Sequence, residues 1–260
     1  MLKKKKIQEY VLERFEKIKQ FHSEFSRFGR QSDLHQFRVE IKKLRMVIRL
    51  LDHCLLQKNA SVEFLPLKTV FKEAGEIRNI HIEIGILEKF ARKGSGPLHK
   101  KKQVLKSKSL DFIRKVSAYE GVIESTENGI LQTIEDLDDK GILTYLKGLI
   151  HKTGKNLQNS DKKEKMHKAR SLMKVLLYNT ALSSSKVREA LPIDKNYLNE
   201  LQELIGKWHD ADLAHEELRT LKGMSKKALT SVEEETNELD RQVFLMSRDF
   251  PDRMYQGIEV

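Results

Sequence analysis

The chain has 260 residues, of which 39% are apolar and 33% charged. Lys and Arg number 49 against 38 Asp and Glu, which gives a formal net charge of +11 at pH 7. This apolar share excludes a wholly disordered chain, and the length fits one large domain or two small ones. The positive balance favours an anionic partner without specifying which one. The single cysteine, Cys54, excludes an internal disulfide framework and a cysteine-based zinc site.

The chain shows no sign of a membrane span or of a targeting segment. No run of 18 uncharged apolar residues occurs, and the basic start MLKKKKIQEY is not followed by an apolar segment. We therefore expect a protein without a membrane partner and with a cytoplasmic location.

The apolar period is helical almost throughout the chain. A first helix is predicted over 5–28 and ends at Gly29; its apolar residues share one face: Ile7, Val11, Phe15, Ile18, Phe21 and Phe25. Ser32 or Asp33 is predicted to cap a second helix that runs to about residue 56. Further helices are predicted over 62–92, 98–118, 121–138, 141–157, 163–182, 194–221 and 224–248. Breakers at 94–97, 159–161 and 183–185 separate some of them. With only 4 Pro and 13 Gly, the chain is predicted to be all-α.

The two halves of the chain resemble each other. Residues 34–44 align with 166–176 through identical His, Arg, Lys and Leu residues, and 73–82 align with 203–213 through Gly75 and Gly206. Either match alone is within reach of chance for amphipathic helices, but the shared order and spacing favour a duplication. We predict a single domain over 1–260, with a first helical repeat over about 1–130 and a second over about 131–260.

A row of cationic residues follows the second predicted helix beside its core face. The core face is Leu34, Phe37, Ile41, Leu44, Ile48, Leu51 and Leu55. The first stripe, as we call the cationic row, recurs at spacings of three and four, one position later: His35, Arg38, Lys42, Arg45 and Arg49. Like charges at these spacings repel, and a solvated face normally alternates with acids. Between residues 34 and 51 the only acid is Glu40, which lies off the stripe, and Lys43 lies on another face.

The second half keeps part of this row. The second stripe is His167, Arg170 and Lys174, with Met166, Met173, Leu176 and Thr180 toward the core and the Tyr178 hydroxyl near the cationic side. Leu177 and Ala181 stand where the first half has Arg45 and Arg49, so the second stripe is shorter. Two such stripes facing each other across a cleft would suit the phosphate oxygens of a linear polyanion.

At these residues the sequence resembles the CHAD family, the conserved histidine α-helical domain. The signature His-x-x-Arg-Val-x-x-Lys-Lys-Leu-Arg stands at 35–45, and Gly75 with Arg78 is similar to a Gly-x-x-Arg-Asp motif in which Asn79 replaces Asp. The second-half signature matches at His167, Arg170, Lys174 and Tyr178, although Val175 and Leu177 occupy usually basic positions. The second glycine motif resembles residues 206–210, Gly-Lys-Trp-His-Asp.

The resemblance implies two pseudo-symmetric four-helix bundles around a central basic cleft. It also implies a non-catalytic module, without metal or cofactor, that binds inorganic polyphosphate and can associate with polyphosphate granules. The implied polyphosphate-binding residues are His35, Arg38, Lys42, Arg45, Arg49, Arg78, His167, Arg170 and Lys174. Further contacts are suggested for Tyr178, Lys108, Lys147, Arg241 and Arg248. The Glu-x-Glu-x-Lys motif of the triphosphatase domain that some CHAD proteins carry is absent. Whether the second stripe contributes despite Val175 and Leu177 is left open.

Two other functions remain open from the residues. The first is a metal-dependent phosphohydrolase, to whose metal site His209-Asp210, His167 and Asp240 could belong. The simpler interpretation is that Asp210 and Asp212 anchor helices or pair with cations, and Trp208 fits a packing role. The net charge also permits nucleic-acid binding, with a basic patch at 99–102, Lys106 and Lys108, but motifs and interleaved aromatic residues are lacking. The interpretations without a ligand are that the lysines at 3–6 and 99–102 are a solvated surface and that His35 and His167 are hydrogen-bonded structural residues.

Overall fold

The computed structural model describes residues 1–90, 96–158, 163–220 and 226–254. The predicted loop at 159–161 and residues 94 and 95 of the predicted breaker lie outside these ranges. The described residues form twelve α-helices and no β-strand, apart from an isolated antiparallel bridge between Leu2 and Leu137. The all-α prediction is confirmed. No helix within the described ranges is both long and apolar enough to cross a membrane.

The chain divides into two compact units, which we call the N-terminal unit (Met1–Asp138) and the C-terminal unit (Asp139–Val260). The helices of the N-terminal unit are α1 Lys4–Phe28, α2 Gln31–Cys54, α3 Ala60–Glu63, α4 Leu65–Phe90, α5 Gly96–Arg114 and α6 Val116–Thr133. Within it, α2 packs against α1 and α4, α4 packs against α5, and α6 returns to α1.

The helices of the C-terminal unit are α7 Asp139–Leu157, α8 Lys163–Leu182, α9 Ser185–Ala190, α10 Lys195–Thr220, α11 Lys226–Ser247 and α12 Phe250–Arg253. Within it, α8 packs against α7 and α10, and α10 packs against α11. Each unit therefore has the same order of pairing: its first long helix packs on the second, the second on the third, and the third on the fourth.

The helix ends correct several predictions. Neither Ser32 nor Asp33 caps α2: the N-cap is Arg30, and Asp33 accepts a hydrogen bond from Arg30 Nε at 2.7 Å while its charge lies in the first turn. The predicted helix over 121–138 begins earlier and ends at Thr133, because Leu137 exchanges backbone hydrogen bonds of 2.9 Å with Leu2. The serine run at 183–185 marks the start of α9, where Ser184 Oγ accepts from the Val187 N–H.

The predicted core faces are buried, with two exceptions. In α2 the core positions from Leu34 to Leu51 are at most 1% exposed, whereas Leu55 is half-buried at the end of the helix. In α1 Phe21 is only half-buried, and the neighbouring His22 is buried among aromatic rings: Phe37, Phe112 and Tyr119. Gly29 ends α1 with a left-handed φ of 66°, which glycine adopts without strain. In the C-terminal unit the predicted core side of α8 is buried, as is Trp208.

Candidate functional site

The first stripe lies along α2 at the margin of its buried face. His35 and Lys42 are exposed, whereas Arg38, Arg45 and Arg49 are half-buried. Glu40, the acid of this part of α2, is buried on another side and is joined to Arg14 of α1 at 2.6 Å and to Lys43 at 2.7 Å. Lys43 is thus neutralised away from the stripe, and Glu40 does not offset the stripe's charge.

Two arginines of the first stripe and one arginine of α4 carry charge that no carboxylate of the described residues offsets. Arg45, Arg49 and Arg78 form no ion pair with any carboxylate in the described parts of the chain. Burial lowers the pKa of Arg45, and the charge of the neighbouring Arg49 lowers it further. Burial also lowers the pKa of Arg38, and the charge of Arg78 on α4 lowers it further. Uncompensated positive charge therefore accumulates along α2 and the facing part of α4.

Arg38 has a structural contact that the helical pattern of α2 does not indicate. Its Nη1 donates a 2.5 Å hydrogen bond to the Phe71 carbonyl of α4, and its guanidinium lies 4.1 Å from the centre of the Phe71 ring. A Cβ at Gly75 would lie only 2.5 Å from Nη1, so the guanidinium fits against α4 because residue 75 is glycine. Arg38 therefore joins α2 to α4, and part of its donor capacity is used within the protein.

The C-terminal unit repeats this arginine–glycine contact. Arg170 of α8 donates from Nε to the Gln202 carbonyl of α10 at 2.9 Å, and a Cβ at Gly206 would lie 2.6 Å from its Nη2. In both units the accepting carbonyl is four residues before the glycine. In each unit, therefore, the arginine of the first sequence match contacts the glycine of the second match. The occurrence of both matches in both halves was the sequence signal from which this contact could have been predicted.

The second stripe lies on α8 and is half-buried at His167, Arg170 and Lys174. The His167 ring meets His209 of α10 edge to face, with the ring centroids 3.8 Å apart. Burial is the main cause that lowers the pKa of each histidine, and Arg170 lowers both further. Burial and Arg170 also lower the pKa of Lys174, which Glu203 partly offsets.

The two substitutions in the second-half signature differ in consequence. Val175 is 1% exposed and belongs to the core of the C-terminal unit, so a basic side chain there would not extend the second stripe. Leu177 is half-buried, as is Arg45 at the corresponding position of α2. The shortening of the second stripe is therefore due to Leu177 and Ala181.

Most of the suggested further contacts already have acidic partners. Lys108 pairs with Glu76 at 2.6 Å, Arg241 makes two 3.0 Å bonds to Glu238, and Arg248 lies 3.3 Å from Asp249. Tyr178 and Lys147 are exposed on α8 and α7. Of this group, Tyr178 remains beside the second stripe on its own helix.

The geometry gives little support to the metal-site alternative. Within the described residues no group of three or more His, Cys, Asp or Glu side chains could hold a metal ion. Asp212 is buried and lies 2.6 Å from Lys163 Nζ, so it anchors α10 to α8 as expected of a cation-paired carboxylate. Asp210 is exposed.

Comparison with solved structures matches the crystal structure of the CHAD domain from the plant Ricinus communis. The TM-score is 0.65 at 16% sequence identity, over 96% of this chain and 89% of that chain. The chain is thus an all-α protein with a CHAD-like fold, in agreement with the resemblance read from the signatures at 35–45 and 206–210. Comparison with protein-family models finds no match. Comparison with curated proteins finds none either.

Proposed function

We propose that this protein binds inorganic polyphosphate through the first stripe and Arg78, as a non-catalytic module. The observation that carries the proposal is the set of half-buried arginines Arg45, Arg49 and Arg78, which have no acidic partner among the described residues. Gathering like charges costs free energy in the free protein, and a bound anion reverses that cost.

The shape of the charged row supports a linear ligand rather than a compact one. Arg45 and Arg49 are one turn apart, about 6 Å along the helix, and the first stripe extends over about 20 Å. Guanidinium groups donate to phosphate oxygens in pairs and hold their charge at every physiological pH. A chain of closely spaced phosphates could contact successive turns, which supports the choice of polyphosphate over a single phosphate group.

A pair of charge-matched variants tests the proposal. Arg45→Gln/Arg49→Gln removes two positive charges from the first stripe, and Lys5→Gln/Lys6→Gln removes two from the exposed start of α1. We expect the first variant to bind long-chain polyphosphate at least about tenfold more weakly, because charge-assisted hydrogen bonds are lost. The control should change affinity by less than about threefold, the effect of screened surface charge. Equal losses in the two variants would contradict binding at the stripe.

A competition distinguishes polyphosphate from nucleic acid. Labelled polyphosphate bound at fixed salt is displaced by unlabelled polyphosphate or by duplex DNA at equal phosphate concentration. Because duplex DNA is stiff and carries its phosphates on two helical strands, fewer of them can reach one straight row of arginines than those of a single polyphosphate chain. We therefore expect polyphosphate to displace the label more strongly. A stronger displacement by DNA would make nucleic acid the partner.

A further inference from the structure

Helix α5 is attached to the N-terminal unit with little apolar contact. Of its 19 residues, all of which are described, only Leu98 and Phe112 are buried, whereas the 24-residue α2 buries eleven. Val104 and Leu110 are more than 40% exposed. Between Leu98 and Phe112, apolar burial therefore contributes little to holding α5 in place.

Ion pairs connect this stretch of α5 to α4. Three join the two helices, at N–O distances of 2.5, 2.6 and 2.6 Å: Lys101–Glu83, Lys102–Glu88 and Lys108–Glu76. Their side chains are between 30% and 60% exposed, so dissolved salt can screen them. The basic patch that suggested nucleic-acid binding is thus partly neutralised by α4.

The end of α5 is attached in a different way. Phe112 is 2% exposed, and its ring centre lies 5.7 Å from that of Phe25 and 4.9 Å from that of Tyr119. Beside it, an open groove of about 180 Å³ lies between α4 and α5, and its lining includes Ile77 and Asp111. Salt does not screen aromatic packing, so Phe112 fixes one end of α5, whereas ion pairs are the main contacts that join the stretch between Leu98 and Phe112 to α4.

We propose that residues 98–111 of α5 form a salt-sensitive segment, which separates from α4 when the three ion pairs are screened while Phe112 stays in place. The separation needs no ligand. A released helix of this length is marginally stable in water, so its backbone amides would exchange with solvent. Amide exchange of this segment therefore reports the separation directly.

Hydrogen–deuterium exchange of the whole chain at about 0.1 M and about 1 M NaCl tests the proposal, because the Debye length falls from about 10 to about 3 Å between them. We expect amides of 98–111 to exchange about threefold to a hundredfold faster at high salt, the range that three exposed ion pairs account for. Amides of α2 over 34–51 should not change. An exchange rate of 98–111 that is independent of salt would overturn the proposal.

A variant then assigns the effect to these pairs. Glu76→Gln/Glu83→Gln/Glu88→Gln should exchange quickly over 98–111 already at low salt and show little further response to salt. The control, Glu120→Gln/Glu124→Gln, neutralises two exposed acids of α6 and should keep the salt response of the unmodified chain. A full salt response in the triple variant would show that other interactions hold α5 and would also overturn the proposal.

Discussion

Gly75 and Gly85 lie in the same helix, α4, and we expect alanine to have opposite effects on stability at the two positions. At Gly85 a Cβ meets no atom within 4 Å. Alanine there should stabilise the protein by about 1 kcal/mol, the difference in helix propensity between the two residues. At Gly75 the same gain is set against the displacement of Arg38, whose Nη1 would lie 2.5 Å from the new Cβ.

The cost at Gly75 follows from what Arg38 loses. Moving the guanidinium breaks its hydrogen bond to the Phe71 carbonyl, and a hydrogen bond from a charged group contributes about 1.5–3 kcal/mol. After the propensity gain of about 1 kcal/mol, Gly75→Ala should destabilise the protein by about 0.5–2 kcal/mol. The two alanine variants should therefore differ by about 1.5–3 kcal/mol in the free energy of unfolding.

Urea unfolding followed by far-ultraviolet circular dichroism measures both variants. The decisive comparison repeats Gly75→Ala in an Arg38→Ala background, because the nearest atoms to the new Cβ all belong to Arg38. There the substitution should stabilise the protein by about 1 kcal/mol, so its effect changes sign. Destabilisation of similar size in both backgrounds would refute the explanation that the glycine accommodates Arg38.

Three further predictions concern titrating groups. Burial lowers the pKa of His22 from 6.5 to about 4, so the stability that this residue contributes above pH 6.5 is lost as the pH falls toward 4. By pH 5 we expect urea unfolding to show a loss of about 2 kcal/mol in the free energy of unfolding, and this loss should be absent in His22→Leu. Equal losses in the two proteins would contradict the prediction. The lowered pKa of His167 leaves its ring neutral in the free protein at about pH 7.5. If this ring contacts bound phosphate, acidification from that pH should raise polyphosphate affinity by up to about tenfold per pH unit, and His167→Gln should flatten the rise. An unchanged rise in His167→Gln would exclude the contact. Burial raises the pKa of the Cys54 thiol from 9.0 to about 11, which lowers the fraction of reactive thiolate. At about pH 8, mass spectrometry should therefore detect alkylation of Cys54 about a hundredfold more slowly in the folded chain than in the unfolded chain. Similar rates in the two states would contradict this prediction.

The long helices could be predicted because their apolar residues repeat with the helical period over many turns. The core face of α2 is an example, since every position from Leu34 to Leu51 in that pattern is buried. The prediction was wrong after Thr133, where Leu137 continues a helical spacing but pairs with Leu2 in an extended bridge. Leu2 is far away along the chain, and local periodicity contains no information on such a partner.

The polar residues in the interior were missed for the same reason. His22 replaces Phe21 in the core because rings from α2, α5 and α6 surround it, and Arg14 is buried because it meets Glu40 across a helix pair. The first stripe could be predicted as a row of charges on one side of α2. Its division into Arg38, which contacts α4, and the unpaired Arg45 and Arg49 depends on the neighbouring helix.

The N-terminal and C-terminal units share the arginine–glycine contact and differ in the cations around it. Arg38 with Gly75 and Arg170 with Gly206 make the same contact in each unit, whereas Arg45, Arg49 and Arg78 correspond to Leu177, Ala181 and His209. A residue that joins two helices is required for packing in both units, whatever either unit binds. A half-buried cation without an acidic partner costs desolvation free energy, which a bound anion can offset. This difference assigns the larger share of the proposed polyphosphate binding to the N-terminal unit, so Arg45→Gln should weaken binding more than Lys174→Gln, which removes the same charge from the second stripe.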